Sequence, residues 1–305
     1  PKALLVLETE IWPNLIEACN NRGIFTSLLN ARLSEKSKQN YKWVKLLISP
    51  ALEKLDLVVA QYASDAKRFR EISPATEVSL CGNLKFDQDV PDQIDSISTS
   101  IRQSWSSDGR SRPTLIAAST HDTEEKFVLD SFLDILSQVK NALLIVVPRH
   151  PERFEDVYQQ ILKTNLEVAR RSYKEDVTPS TKILLGDTMG ELNFLYSVSD
   201  VAFVGGSLID HGGQNLLEPA ALGLPICSGK NLRNFQDIAD ELERNEALFV
   251  VRDLDDMTKF FVRLISSPEE MKKTGNASKS VFLKNRGAVS KVNKLLGPQL
   301  NKLLS

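Results

Sequence analysis

Short runs of leucine, valine and isoleucine alternate with longer stretches in which apolar residues recur every three or four positions. The runs "ALLVLE", "FTSLLNA", "LDLVVAQ" and "EVSLCG", then "TLIAAS", "ALLIVVP", "KILLG", "DVAFVG", "LPICSG" and "LFVV", read as strands. They are continuously apolar, which marks parallel strands covered on both faces. The intervening stretches predict helices beginning near Trp12, Glu35, Ser64, Thr123, Pro151, Gly190, Asn215, Asn234, Asp256 and Pro268. Strand–helix alternation of this kind gives a doubly wound α/β sheet. The polar, proline-bearing stretch "DQDVPDQIDSISTS" at 87–100 lacks apolar periodicity and is read as a break between domains. About four strands precede it and six follow. That imbalance, with an opening that enters a strand at once after Pro1, makes the first domain look incomplete at its N-terminal side.

Composition changes this picture little. With 305 residues, 42% hydrophobic and 26% charged, the chain is that of a globular protein of one large or two medium domains. A net charge of −2 gives no basic footprint for nucleic acid, so no nucleic-acid partner is expected. Three scattered cysteines, Cys19, Cys81 and Cys227, read as free thiols, and three histidines are too few for an ordinary histidine-built metal centre. No apolar run reaches the roughly 18 residues that span a bilayer.

The candidate chemistry sits where strands end, because open α/β sheets bind ligands beyond their carboxyl ends. "DVAFV" runs into "GGSLIDHGGQNLLEP", a glycine-rich bend before a helix. Asn215 to Glu218 reads N-x-x-E, a capping-box analogue with Asn215 as N-cap and Pro219 in the first turn. Gly212 and Gly213 would let backbone approach a ligand, and the helix start offers N–H groups to a phosphate; Glu218 could equally cap its own helix. "ALLIVVP" ends in Arg149 and His150, and the planar guanidinium suits phosphate or a neighbouring carboxylate. In "ILLGDTMGEL", Gly186 ends a strand and Gly190–Glu191 opens a helix. Together these three strand ends describe a nucleotide crevice.

"ETEIWPNL", "NARLSEKS", "GNLKFD", "ASTHDTEE", "VPRHPERF", "GDTMGEL", "FVGGSL" and "HGGQNLLEPAALGLP" occur in this order. From Leu5 to about Asp240 the chain thereby resembles the 3-deoxy-D-manno-octulosonic acid (Kdo) transferases of lipid A and lipopolysaccharide assembly. The resemblance implies a GT-B glycosyltransferase fold of two Rossmann-like domains, here with residues 1–91 as a remnant of the acceptor-side domain. Residues 92–284 would form the CMP-sugar domain, and 285–305 helices that pack back across the junction. It implies transfer of Kdo, with inversion, from CMP-Kdo to a hydroxyl of the lipid A precursor lipid IVA at the cytoplasmic face of the inner membrane. Pro148, Arg149, Met189, Gly190, Glu191, Asn215, Leu216, Leu217 and Glu218 would bind CMP, with Glu218 on the ribose. Glu8 and Lys85 match positions that stabilise the transition state. Glu10 is the alternative to Glu8, since the two flank one residue on a strand and would share a face. The family's general base, a glutamate in a Gly-Glu pair, has no match here; it and a hydrophobic anchor are expected upstream of Pro1. No cofactor and no metal is expected.

Rival constellations are weaker. Asp253 and Asp255 have the spacing of a metal-binding DxD but precede the amphipathic "MTKFFVRLI", which favours a helix cap. His121 is read as a ligand contact or a cap, and His211 as a loop side chain or a donor contact. The stretch 30–55, with Arg32, Lys36, Lys38, Lys42 and Lys45 among Tyr41, Trp43 and leucines, reads as a helix face toward solvent or toward anionic lipid. No GxSxG elbow or GxGxxG fingerprint is present. Two other readings keep the fold: a sugar-nucleotide epimerase, and a donor-binding chain without turnover.

Overall fold

A computed structural model describes residues 1–87, 94–106, 109 and 111–304. Two compact units emerge, Pro1–Asp89 with Lys284–Ser305, and Val90–Leu283. The expected boundary at 91/92 lies outside the described residues.

The first unit runs β1 (Ala3–Leu7), α1 (Pro13–Asn20), β2 (Phe25–Ala31), α2 (Glu35–Trp43), α3 (Lys45–Glu53), β3 (Leu57–Ala60), α4 (Ala63–Ile72) and β4 (Val78–Leu80). Its sheet is parallel throughout, in the order β1-β2-β3-β4. The apolar run of β2 is buried at all seven positions, as its lack of alternation requires. Residues 35–53, expected as one helix, are two. The chain bends at Val44, leaving Trp43 (91% exposed), Leu46 (96%) and Leu47 as a projecting apolar ridge.

The second unit runs α5 (Ile94–Ser104), β5 (Thr114–Thr120), α6 (Glu124–Gln138), β6 (Leu143–Pro148), α7 (Phe154–Leu162), β7 (Val168–Arg170), β8 (Ile183–Leu185), α8 (Leu192–Ser197), β9 (Val201–Val204), α9 (Leu217–Ala221), β10 (Ile226–Ser228), α10 (Gln236–Arg244), β11 (Leu248–Val250), α11 (Leu254–Ser266) and α12 (Pro268–Lys284). A last helix, α13 (Ala288–Leu304), belongs to the first unit. There Val292 and Leu296 pack with Phe25, Leu29, Val59 and Cys81. Asp87 accepts the backbone N–H groups of Gly287 and Val289, each at 2.5 Å, and so fixes the start of α13.

The second sheet has seven parallel strands where six are expected from sequence, in the order β11-β10-β9-β5-β6-β8-β7. The additional strand, β7, is three residues at the edge, too short and too charged to give a period. Part of the expected 87–100 break is also helical. Ile97, Ile101 and Trp105 continue a helical spacing beyond that window, and Trp105 is buried against the sheet. Both faces of the sheet are packed, one around Phe132, Val146 and Phe203, the other around Ile145, Leu195 and Tyr196. All three cysteines are free and buried, and burial pushes the Cys227 thiol up.

Asp253 caps α11, its carboxylate accepting Asp256 N–H at 2.8 Å, while Asp255 pairs with Lys259. Two acids occupied in this way bear out the cap reading of this stretch.

Candidate functional site

Two clusters of sequence-predicted residues form, one in each unit. In the first, Glu8 follows β1 with φ +60, and its N–H donates to Leu29 O at 3.0 Å. Because β1 ends at Leu7, the two-residue period of a strand does not place Glu8 and Glu10 together. They separate by partner: Glu8 Oε1 lies 3.3 Å from Lys85 Nζ, whereas Glu10 Oε2 accepts the Trp12 indole N–H at 2.9 Å. Lys85 rides on a 3₁₀ turn at Leu84–Phe86. Asn83 Oδ1 accepts Lys85 N–H (3.0 Å) and Asn30 Oδ1 accepts Leu84 N–H (3.1 Å). Asn30, which sequence reasoning missed, is buried in the left-handed region at φ +51; asparagine tolerates that region better than most residues. A depression of about 460 Å³ lined by Glu8, Glu10, Asn30 and Lys85 results. The Glu8 and Lys85 side chains are 41% and 37% exposed, so both charges face solvent and any ligand there.

The second cluster lies at the carboxyl ends of β9, β5, β6 and β8, four consecutive strands. The strand order reverses between β5 and β9, the place where doubly wound sheets open a crevice. Its centre is Glu124, a residue of the "ASTHDTEE" stretch that sequence reasoning did not single out. Glu124 is 1% exposed; its Oε2 accepts His121 N–H (3.0 Å) and Gly206 N–H (2.7 Å), and its Oε1 accepts Ser207 N–H (3.0 Å) and Leu208 N–H (2.9 Å). The N–H nest at the start of the glycine bend is therefore filled by the protein's own carboxylate. Phosphate has no room there.

The glycines also serve packing. A Cβ on Gly205 would lie 2.6 Å from Ser119 O, and one on Gly213, already at φ +79, would lie 2.7 Å from Leu232 Cδ2. The helix that follows differs from the expected one. α9 begins at Leu217 with Leu216 as N-cap and has five residues, so it supplies little dipole. Asn215 still acts as a cap from one residue earlier, since its Oδ1 accepts Leu217 N–H at 3.0 Å while its amide donates to Glu218 Oε1 at 3.0 Å. Leu216 and Leu217 are fully buried, backbone included.

Arg149 is exposed at the end of β6, its N–H held by Thr120 O at 2.9 Å. It is near enough to Glu218 for its charge to act on that carboxyl. Burial pushes the Glu218 pKa up, against the pull of the Asn215 bond and Arg149. Pro148 is buried as the last residue of β6. Beyond β8, Met189 is 66% exposed and Gly190 takes φ +83. Glu191 is occupied. Arg171 grips it through two bonds at 2.8 and 3.1 Å and Thr188 adds a third, and the Arg171 bond above all holds its pKa below the usual carboxylate value. Its loop is braced by Asp187, which bonds Arg170 and Ser172. Thus the charge of Arg149 acts on Glu218, whereas Glu191 serves its own loop beside the exposed Met189–Gly190 turn.

The chain's three histidines also meet here. The His121 ring centroid is 4.2 Å from that of His211 and 5.2 Å from that of His150, and the Gln214 amide lies 3.0 Å from His121 Nε2. Desolvation first, and then the neighbouring cations, lowers the His121 pKa to about 4. Among the described residues no three His, Cys, Asp or Glu side chains are grouped to hold a metal ion.

Residues 1–88 match the family model of 3-deoxy-D-manno-octulosonic-acid transferase (kdotransferase). The chain is 38% identical over 304 residues to the 3-deoxy-D-manno-octulosonic acid transferase of Haemophilus influenzae, covering 99% of this chain and 70% of that protein. It is 31% identical to the Bordetella pertussis transferase, covering 94% of this chain and 67% of that one. Among solved structures, the C-terminal CMP-Kdo binding domain of WaaA from Acinetobacter baumannii superposes with a TM-score of 0.58 at 34% identity, over 62% of this chain and 97% of that domain. A UDP-N-acetylglucosamine 2-epimerase from Listeria monocytogenes (TM-score 0.57, 13% identity, 98% of this chain and 75% of that one) shares the fold alone. With strand-end loops of this chemistry on parallel α/β sheets of the GT-B kind, and this identity along nearly its whole length, the chain belongs to the 3-deoxy-D-manno-octulosonic acid transferase family of glycosyltransferases.

Proposed function

We propose that the chain moves Kdo from CMP-Kdo to a hydroxyl of the lipid A precursor lipid IVA, inverting the anomeric centre. The observation that carries this reading is Arg149, exposed after β6 and close enough for its charge to act on the Glu218 carboxyl of α9, in a sheet whose β8 end carries the exposed Met189–Gly190 turn. An arginine fork suits the nucleotide's phosphate, a carboxyl suits a ribose hydroxyl, and exposed backbone suits the base. The likeness of this unit to a CMP-Kdo binding domain supports it.

In this mechanism the acceptor hydroxyl attacks the anomeric carbon as CMP leaves with the bonding electrons, and a carboxylate takes the hydroxyl proton. No residue of this sequence matches the family's base. Lys85 and its partner Glu8 stabilise the charge that develops as the donor bond breaks, Lys85 as a cation held by the Asn30 and Asn83 caps. No metal takes part, so donor binding persists with chelator present.

The ridge of Trp43, Leu46 and Leu47 with Lys45 suits the surface of the cytoplasmic leaflet, aromatic and apolar groups entering the headgroup layer beside a cation. Lys38 is not available to that surface, being paired with Glu35 and Glu71. Among the described residues no helix is long and apolar enough to cross a membrane.

Calorimetry with CMP and a Kdo-transfer assay test the reading. CMP should bind, and Kdo should pass from CMP-Kdo to lipid IVA. Absence of CMP binding would overturn the donor site, and CMP binding without any transfer would overturn the transferase reading.

A further inference from the structure

We propose that His150 and His211 bind the anionic groups of the nucleotide donor, forming with Arg149 a wall whose centre, His121, positions both rings. The inference rests on the donor reading above and assigns it residues which that reading does not contain. The three imidazoles come from the loops after β5, β6 and β9, which are neighbours only because β5 lies between β6 and β9. His121 is 8% exposed and carries the other two rings against its own, at 4.2 Å and 5.2 Å between centroids. The Gln214 amide nitrogen donates to His121 Nε2, which makes that nitrogen an acceptor and the ring neutral. His211 and Gln214 both rest on Gly206, where a Cβ would come within 3.3 Å of either side chain. The glycine bend thus sets the position of His211.

The charges facing this cluster favour an anion. Arg149 and Arg153 are close enough to act on His121. Of the surrounding acids, Glu124 is consumed by four backbone N–H groups, and Asp122 and Glu125 pair with Arg153. Asp210 pairs with Arg233, Glu152 stands 3.8 Å from His150 Nδ1, and Glu218 faces Arg149. His211 and Arg149 are thereby left to meet a phosphate or a carboxylate, the two anionic groups of an acidic sugar nucleotide.

Having three histidines, all in the cluster, the intact chain gives three imidazole Cε1–H signals, and NMR titration with CMP reads the site directly. Saturation with CMP should move all three signals and leave His121 neutral. His150→Ala and His211→Ala, at exposed or half-exposed positions, should each weaken CMP binding roughly tenfold. Gln214→Leu should shift the His121 ¹⁵N signals away from the Nε2-acceptor pattern. Tight CMP binding with silent imidazoles and unchanged affinity in both alanine variants would overturn this proposal and leave the donor reading standing. If CMP fails to bind but inorganic phosphate moves the same signals, the anion wall stands and the nucleotide reading falls. Silence toward both ligands would overturn both.

Discussion

Glu8 and Glu124 each follow the first strand of their sheet, after β1 and β5, and their surroundings are opposite. Glu8 keeps its carboxylate at the surface beside Lys85, with both side chains more than a third exposed. Glu124 is sealed among four backbone N–H groups. A surface pair adds little to stability and keeps its charges at the surface. A buried carboxylate with all its bonds inside the protein holds structure and offers nothing to a ligand. Identical residue types after equivalent strands therefore do different work, and solvent exposure decides which.

The largest expected break in this contrast is Glu124→Ala. It leaves four inward-pointing N–H groups without an acceptor and should lower the stability of the second unit by about 3–5 kcal/mol in urea unfolding. A loss below about 1 kcal/mol would show that the bend holds itself. Next is His121. Its folded pKa of about 4 lies below the unfolded value near 6.5, so the unfolded chain binds more protons between those limits. Stability should rise with pH through that window, by on the order of 2 kcal/mol, and fall as pH drops toward 4. His121→Asn should flatten this slope, as followed by thermal melts from pH 4 to 7. Asp253→Ala removes an exposed cap in the same unit and should cost about 1 kcal/mol. The smallest effect on stability belongs to Lys85→Ala and Glu8→Gln, under about 1 kcal/mol in melting experiments. In the Kdo-transfer assay each should nevertheless cut kcat roughly ten- to hundredfold. A Lys85 variant that melts early but turns over normally would reverse the comparison.

Sequence pattern carries most of the fold. The buried strands β6 and β9 announce themselves as unbroken apolar runs, β2 and β5 as runs without alternation, and the Gly205–Gly206 bend marks where β9 stops. Edge strand β7 was not legible because three residues give no period. The bend at Val44 was not legible because helical spacing continues across it. At the site, the approach of Arg149 to Glu218 follows from strand ends sharing one side of a parallel sheet. The choice of Arg171 as partner for Glu191, the burial of Glu124 in the glycine bend and the gathering of three histidines depend on which strands become neighbours. One-dimensional spacing does not encode that order, and His150 drew attention only as the residue after Arg149.

The return of α13 to the first unit has a consequence for synthesis. Phe25, Leu29, Val59 and Cys81 leave the ribosome before the second unit, yet the helix that covers them is made after all of it. During translation that apolar surface waits uncovered while Val90–Leu283 emerges and folds, a natural opening for chaperone engagement. A stop codon just before α13 would free a nascent chain whose later-made half is sound and whose earlier-made half is not.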